Sequence, residues 1–243
     1  MIEAAINGSR TRTEHPGIPV TPEEQARAAR DSLRAGADAI HVHVRGADGR
    51  ESLAGDDAAR SLRAIRDLAP GTPIGVSTGA WIIPDPDARL SAVSAWGVLP
   101  DFASVNFSEE GAERLAELLL SRGVAVEAGV STRAAAEIYA ESRVAPSCLR
   151  ILIEPQEQEV NAALATISAI QGVLDRARAS PPRLLHGTEG TVWPLVDAAA
   201  ACGYDTRVGF EDTLVLPDGR TARSNATLVA EARRRIESAV RRE

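Results

Sequence analysis

Two histidines stand two residues apart in the run Ile40-His41-Val42-His43-Val44-Arg45. Their flanks are Ile and Val, so the run is expected to be a β-strand. In a strand, residues i and i+2 face the same side. Two imidazoles on one face can offer neutral nitrogens to one divalent metal. Far downstream, Arg207-Val208-Gly209-Phe210-Glu211-Asp212 is a second strand-like run, ending in two carboxylates. Two His and one carboxylate make a three-ligand set that leaves positions open for substrate or water. That is the pattern of a catalytic metal centre rather than a structural one. A lone histidine in an apolar strand is more often a hydrogen-bonded core residue. The paired spacing, in a chain with only four histidines, favours the metal.

Residues so far apart need a scaffold that brings them together. Strand-like runs occur at Ile2–Asn7, Ala39–Val44, Pro73–Thr78, Phe102–Asn106, Ala125–Ala128, Leu149–Glu154, Arg183–His186 and Thr206–Phe210. Helical patterns lie between them at Pro22–Ala35, Asp56–Leu68, Asp87–Trp96, Glu110–Arg122, Thr132–Ser142, Glu157–Arg178 and Val192–Cys202, with a last helix at Asn225–Arg241. Gly36, Gly97, Gly123 and Gly203 follow periodic stretches as helix stops. Eight strands alternating with eight helices in 243 residues is the count and size of a single-domain (β/α)8 TIM barrel spanning 1–243. A doubly wound open sheet is the alternative, weakened by the absence of G-x-G-x-x-G after the first strand. No Ser/Gly-rich linker divides the chain.

Barrel active sites gather at the carboxyl ends of the strands, and the unusual polar residues fall there. His41 and His43 end strand two, Ser77 and Thr78 strand three, and Asn106 strand four. Glu127 lies near the end of strand five and His186 ends strand seven. Arg207, Gly209 and Glu211 share a face at strand eight and its exit. Ser77 and Asn106 fit a structural role inside a barrel equally well.

Composition narrows the function classes. The chain is 44% hydrophobic but only 3% aromatic, so its core must be Ala, Val, Leu and Ile. A net charge of −7 argues against a nucleic-acid surface. Arg233-Arg234-Arg235 and Arg241-Arg242 suit the carboxyl end of the last helix. Cys148 and Cys202, without a CxxC, are expected to be buried free thiols, Cys148 in a strand and Cys202 at a helix end. With no signal-peptide pattern and no apolar run of membrane length, the expectation is a soluble, cytoplasmic protein without a membrane partner.

Several segments together resemble one family. They are Ala5-Ile6-Asn7-Gly8, Glu14-His15-Pro16, His41-Val42-His43-Val44-Arg45, Ser77-Thr78-Gly79, Val126-Glu127, and Arg207 to Asp212 followed by Ser224-Asn225-Ala226. The set is similar to the β-keto acid cleavage enzymes, from residue 2 to about 233. The resemblance implies a (β/α)8 barrel with bound zinc and a homo-oligomer. It also implies conversion of a β-keto acid and acetyl-CoA into acetoacetate and a new acyl-CoA. By position it implies His41, His43 and Glu211 as zinc ligands. Arg207 and Asp212 match the pair that polarises and deprotonates the substrate, and Ser77 a substrate-contacting serine. The residue types suit this chemistry: a metal is a Lewis acid toward enolate charge, Arg207 can stabilise the same charge, and Asp212 is the natural base.

Two departures stand out. A family member of lysine fermentation grips a substrate amine with a glutamate after strand one, and Arg10 holds that position here. A guanidinium repels an ammonium and attracts a carboxylate. The expected substrate is therefore not the aminated one but a dicarboxylic β-keto acid, or at least one without a positive tail, with Arg10, Ser77, Thr78, Asn106 and Glu127 contacting it; the alternative for Arg10 is to point to solvent or to a neighbouring subunit. The loop Ser104–Glu109 is also short for a family whose loops shape the CoA channel. Rival readings are a different metal-dependent barrel lyase or hydrolase and an inactive zinc- or CoA-binding homologue. Amidohydrolases carry His-x-His on strand one with further histidines on strands five and six, where this chain has Glu127 and Glu154. His186-Gly187-Thr188-Glu189-Gly190 is either a phosphate cradle or a tight turn around a buried His186.

Overall fold

Short apolar runs bounded by turn residues fold as strands, and the amphipathic stretches between them as helices. The computed structural model describes residues 1–240. Its elements are β1 (Ile2–Ala5), α1 (Pro22–Arg34), β2 (Ala39–Val42), α2 (Gly55–Leu68), β3 (Ile74–Ser77), α3 (Pro86–Ser94), β4 (Phe102–Asn106) and α4 (Ala112–Ser121). These are followed by β5 (Ala125–Val130), α5 (Arg133–Glu141), β6 (Arg150–Ile153), α6 (Val160–Arg176), β7 (Arg183–Leu185), α7 (Val192–Ala201), β8 (Asp205–Val208) and α8 (Asn225–Val240). Arg241 and Arg242, expected at the end of the last helix, lie outside the described residues.

Every strand pairs in parallel with its sequence neighbours, and β8 returns to β1 through Ile2–Thr206 and Glu3–Arg207. That closure makes a (β/α)8 barrel and excludes the open sheet. The core is mostly Ala, Val, Ile and Leu, but Trp96, Phe102, Phe107, Tyr139, Trp193 and Phe210 are buried in it as well. Helix starts follow local chemistry. Thr21 and Glu24 form a capping box at α1, and Asp85, Thr132 and Glu159 each accept a backbone N–H at α3, α5 and α6. No described helix is long and apolar enough to cross a membrane.

Both cysteines differ from expectation. Cys148 is buried but caps a short 3₁₀ turn at Ala145–Ser147, two residues before β6 begins. Cys202 is exposed, because it caps the carboxyl end of α7 where the chain turns outward at Gly203.

Candidate active site

β2 ends at Val42, one residue short of His43. The side chain of Asn7, just past β1, takes over there. Its amide accepts from the His43 N–H at 2.9 Å and donates to the His43 carbonyl at 2.9 Å. This clamp replaces a ladder pair and fixes the second histidine beside the first. A second amide, Asn225, accepts from the Phe210 N–H at 2.7 Å and donates to the Ile6 carbonyl at 2.9 Å. It ties the exit of β8 to the exit of β1, and so aims Glu211.

The three expected ligands converge. Glu211 Oε2 lies 3.7 Å from His41 Nε2 and 3.3 Å from His43 Nε2. Opposite His43 Nε2, its Nδ1 meets Glu51 Oε1 at 2.5 Å, and Trp81 Nε1 donates to both oxygens of Glu51 at 3.1 and 3.2 Å. A carboxylate behind a ligating imidazole fixes its tautomer and raises its basicity. Arg207 donates to Glu211 Oε1 at 2.8 Å and to Asp212 Oδ1 at 2.7 Å. Asp212 Oδ2 and Glu211 Oε2 are buried with no hydrogen-bond partner.

Electrostatics separate these groups. Burial raises the Glu211 carboxyl, but Arg207 and the two imidazoles outweigh it and hold the group well below its ordinary value. Burial pushes Asp212 up, against the pull of Arg207 and His186. Burial also drives His41 well below the usual imidazole value. For His43 burial is outweighed by Glu211 and Glu51, which hold it at about 9. Two adjacent carboxylates therefore differ: one is a firm anion facing imidazoles, the other a more basic group with a free oxygen.

A cavity of about 280 Å³ opens on this cluster at the carboxyl ends of the strands. Ser77 and Asn106 line it; Thr78, Glu127 and Arg10 do not. Thr78 turns aside, its hydroxyl donating to the Ser104 carbonyl at 2.6 Å. Glu127 sits deeper than expected because β5 runs on to Val130, making it the third of six strand residues. There it is paired with Arg150. Arg10 is held between Glu14, at 3.2 Å, and Glu189, and its Nε donates to the Glu211 carbonyl at 3.3 Å. Its guanidinium is directed at these carboxylates and not at the cavity. His186 is buried, with Nδ1 at 3.3 Å from the Gly187 carbonyl and 3.5 Å from Asp212 Oδ1. It forms the tight turn, not a phosphate cradle, for Glu189 beside that turn is turned to Arg10. Glu51, Trp81 and Glu154 were not anticipated as site residues. Glu51 arrives through a bridge with Arg45 that folds the loop after β2 back on itself, which no spacing in the sequence signals.

The chain matches the model of the beta-keto acid cleavage enzyme family over residues 1–149 and 158–242. It is 28% identical over 252 residues to the 3-keto-5-aminohexanoate cleavage enzyme of Fusobacterium nucleatum subsp. nucleatum, covering 94% of this chain and 88% of that enzyme. A stretch of 80 residues, 32% of this chain and 28% of the relative, is 41% identical to the 3-oxoadipate:acetyl-CoA acetyltransferase of Cupriavidus necator. Among solved structures, ObcA in a ternary complex with a C4-CoA adduct and oxalate superposes with a TM-score of 0.74 at 18% identity. That superposition covers 92% of this chain but 64% of ObcA, so the chain spans less than two thirds of that protein. The fold is a (β/α)8 barrel, and the cluster lies at the carboxyl-end mouth where active sites of such barrels gather. Among such barrels, this chain belongs to the β-keto acid cleavage enzyme family.

Proposed function

We propose that the protein is a zinc-dependent β-keto acid cleavage enzyme that converts a β-keto acid and acetyl-CoA into acetoacetate and a new acyl-CoA. The observation that carries this reading is the convergence of His41, His43 and Glu211 beside the Arg207–Asp212 pair. Tetrahedral zinc with ligand bonds near 2.1 Å holds ligand atoms about 3.4 Å apart. The 3.7 and 3.3 Å separations from Glu211 Oε2 to the two imidazoles fit that requirement. Glu211 Oε2 is also a buried anion without a hydrogen-bond donor, which a cation would satisfy. When bound there, zinc supplies Lewis acidity toward the oxygen where enolate charge develops.

The chain's own residues account for the proton and the charge. Arg207 occupies Asp212 Oδ1 and leaves Oδ2 free. Asp212 Oδ2 removes the proton from carbon 2 of the β-keto acid, and burial makes it more basic than an exposed carboxylate. Arg207, itself fully enclosed, faces the charge that develops. The carbanion attacks the acetyl carbonyl and expels the CoA thiolate. The thiolate then attacks the substrate's original keto carbon. The carbon–carbon bond breaks, the new acyl-CoA leaves, and the acetoacetate carbanion takes its proton back from Asp212. Ser77, at the end of β3 on the cavity wall, orients the acid.

The test is a panel of β-keto acids with acetyl-CoA, scored by mass spectrometry for acetoacetate and acyl-CoA. Asp212→Asn and Arg207→Ala are expected to lower kcat by about a hundredfold or more while zinc stays bound. Near wild-type turnover in both variants would overturn the mechanism, and equal zinc content in wild type and His41→Ala would overturn the ligand set.

A further inference from the structure

Glu211 and Asp212 stand beyond the end of their strand, for β8 stops at Val208. Their N–H groups donate to the Ala5 carbonyl at 3.1 Å and to the Gly209 carbonyl at 2.9 Å. Their own carbonyls are held from the loops on either side. Arg10 Nε, in the loop after β1, donates to the Glu211 carbonyl at 3.3 Å. The Glu189 N–H, in the loop after β7, donates to the Asp212 carbonyl at 2.7 Å. Arg10 Nη2 donates to Glu189 Oε1 and so joins the two loops. β1 and β7 are the barrel neighbours of β8, so this link spans the exit of β8.

Both ends of the link are fixed. Arg45 is buried and donates to the Gly8 carbonyl and, at 3.1 Å, to the Arg10 carbonyl, which anchors the backbone carrying Arg10. Arg10 Nη1 donates to Glu14 Oε1 at 3.2 Å. The Arg10 side chain thus uses three separate nitrogens of one planar group, a pattern that a lysine ammonium does not reproduce. At the other end, Glu189 has φ at +48°, in the left-handed region. A residue with a side chain keeps that conformation where its surroundings enforce it. Here the Asp212 carbonyl holds its N–H and Arg10 holds its carboxylate. Neither Arg10 nor Glu189 lines the cavity.

We infer that Arg10 and Glu189 are positioning residues: together they form a strap over the exit of β8 that sets where Glu211 and Asp212 stand, and they do not select the substrate. The inference takes the roles of Glu211 and Asp212 from the cleavage reading. It gives Arg10 a different task from the substrate recognition expected from its place in the sequence. Loss of a contact that supports a metal ligand lowers affinity by about tenfold to a hundredfold. This strap acts through the backbone and ends on a half-exposed glutamate, so the lower end of that range is expected.

The experiment measures zinc affinity, by competition with a chromophoric chelator, in wild type, Arg10→Ala, Arg10→Lys and Glu189→Gly. It adds kcat and KM of the zinc-saturated enzymes for unbranched β-keto acids ending in methyl and in carboxylate, and thermal melts of the metal-free proteins. Arg10→Ala is expected to lose about tenfold in zinc affinity and in kcat for both acids, with KM and the ratio between the acids unchanged. Arg10→Lys should fall between it and wild type. Glu189→Gly relieves the left-handed backbone, so its Tm should hold while zinc affinity and kcat fall. A merely structural strap gives the opposite, a lower Tm with zinc affinity and kcat retained. Wild-type zinc affinity in either Arg10→Ala or Glu189→Gly overturns the inference, and so does an Arg10→Ala that changes the ratio between the acids instead of kcat. If no β-keto acid turns over, the cleavage reading fails, and the zinc affinities still decide the strap.

Discussion

Gly8 tests the geometry of the metal centre without touching a ligand. It lies just past β1 with φ at +56°, and an added Cβ would stand 2.5 Å from Cγ of Glu211 and 2.9 Å from its Cβ. Carbon atoms rest at about 3.5–4.0 Å, so in Gly8→Ala the Glu211 side chain has to retreat by about 1 Å. Metal bonds tolerate displacements of about 0.2 Å. Glu211 would leave coordination range, and zinc affinity is expected to fall at least as far as loss of a supporting contact lowers it, about tenfold to a hundredfold. The substitution also places a side chain in the left-handed region, at about 1–2 kcal/mol. In a domain this size that lowers Tm by roughly 2–8 °C. Gly71→Ala separates the two effects, since Gly71 has φ at +77° and nothing within 4 Å of its Cβ position. Competition with a chromophoric chelator measures affinity, and thermal melts of metal-free protein measure stability. Both variants should lose the backbone cost, Gly8→Ala somewhat more for its contact with Glu211, and only Gly8→Ala should lose zinc. Equal zinc affinity in Gly8→Ala and wild type would refute Glu211 as a ligand held against this loop.

Thiol reactivity should divide cleanly. Burial pushes the Cys148 thiol up to about 11, while Cys202 is exposed. An alkylating reagent at pH 8 should modify one thiol in the native protein and both after denaturation, with Cys202→Ser removing the fast reaction; two fast thiols would contradict the burial. Glu24 should make stability fall in acid. Burial raises its carboxyl, but Arg12 and the Thr21 and Val20 N–H groups outweigh this and hold it at about 2, against 4.5 unfolded. Its ionised form thus favours folding above pH 4.5, and that contribution disappears as pH falls through 2. With its side chain 30% exposed, solvent screening reduces the effect to about 1 kcal/mol at pH 7 relative to Glu24→Gln. Denaturant unfolding from pH 7 to 2 should show the gap closing; a constant gap would rule out the charge.

The barrel was legible because its two periods, of strand and of helix, alternate without interruption. The shared face of His41 and His43 was legible because i, i+2 spacing on a strand survives any detail of the strand's ends. Depth was not. Glu127 reads as a rim residue only if β5 stops at Ala128; two further strand residues sink it beneath the cavity. Partnership was not legible either. Arg10 next to strand one looks like a free cation, and nothing in its neighbourhood announces Glu189, 179 positions away. The far wall of the cavity is the extreme case. Gly129 and Asn106 lie on neighbouring strands and Glu154 just past the next, and only strand pairing brings their atoms together.

The barrel interior also separates the two groups of side chains that could hold a cation. Glu3, His41 and Glu127 are close enough to suggest a second centre below the first. Arg150 already answers there, donating to Glu3 Oε2 at 3.0 Å and to Glu127. A metal would have to sit against that guanidinium. Burial and the neighbouring Glu127 push Glu3 well above its ordinary value, so the lower cluster balances its charge with one arginine and one proton. Above it, Glu211 and Asp212 share one guanidinium, that of Arg207, and otherwise face imidazoles. One negative charge is in excess, and it faces two imidazoles. In the metal-free chain the His43 imidazolium, held at about 9 chiefly by Glu211 and Glu51 against burial, answers that excess. Replacing that proton with a divalent ion puts positive charge at the cavity floor, where an anionic enolate forms. The same carboxylate chemistry thus gives an arginine-filled plug at one depth and the proposed cation site one layer higher, and what separates them is whether an arginine has already filled the gap.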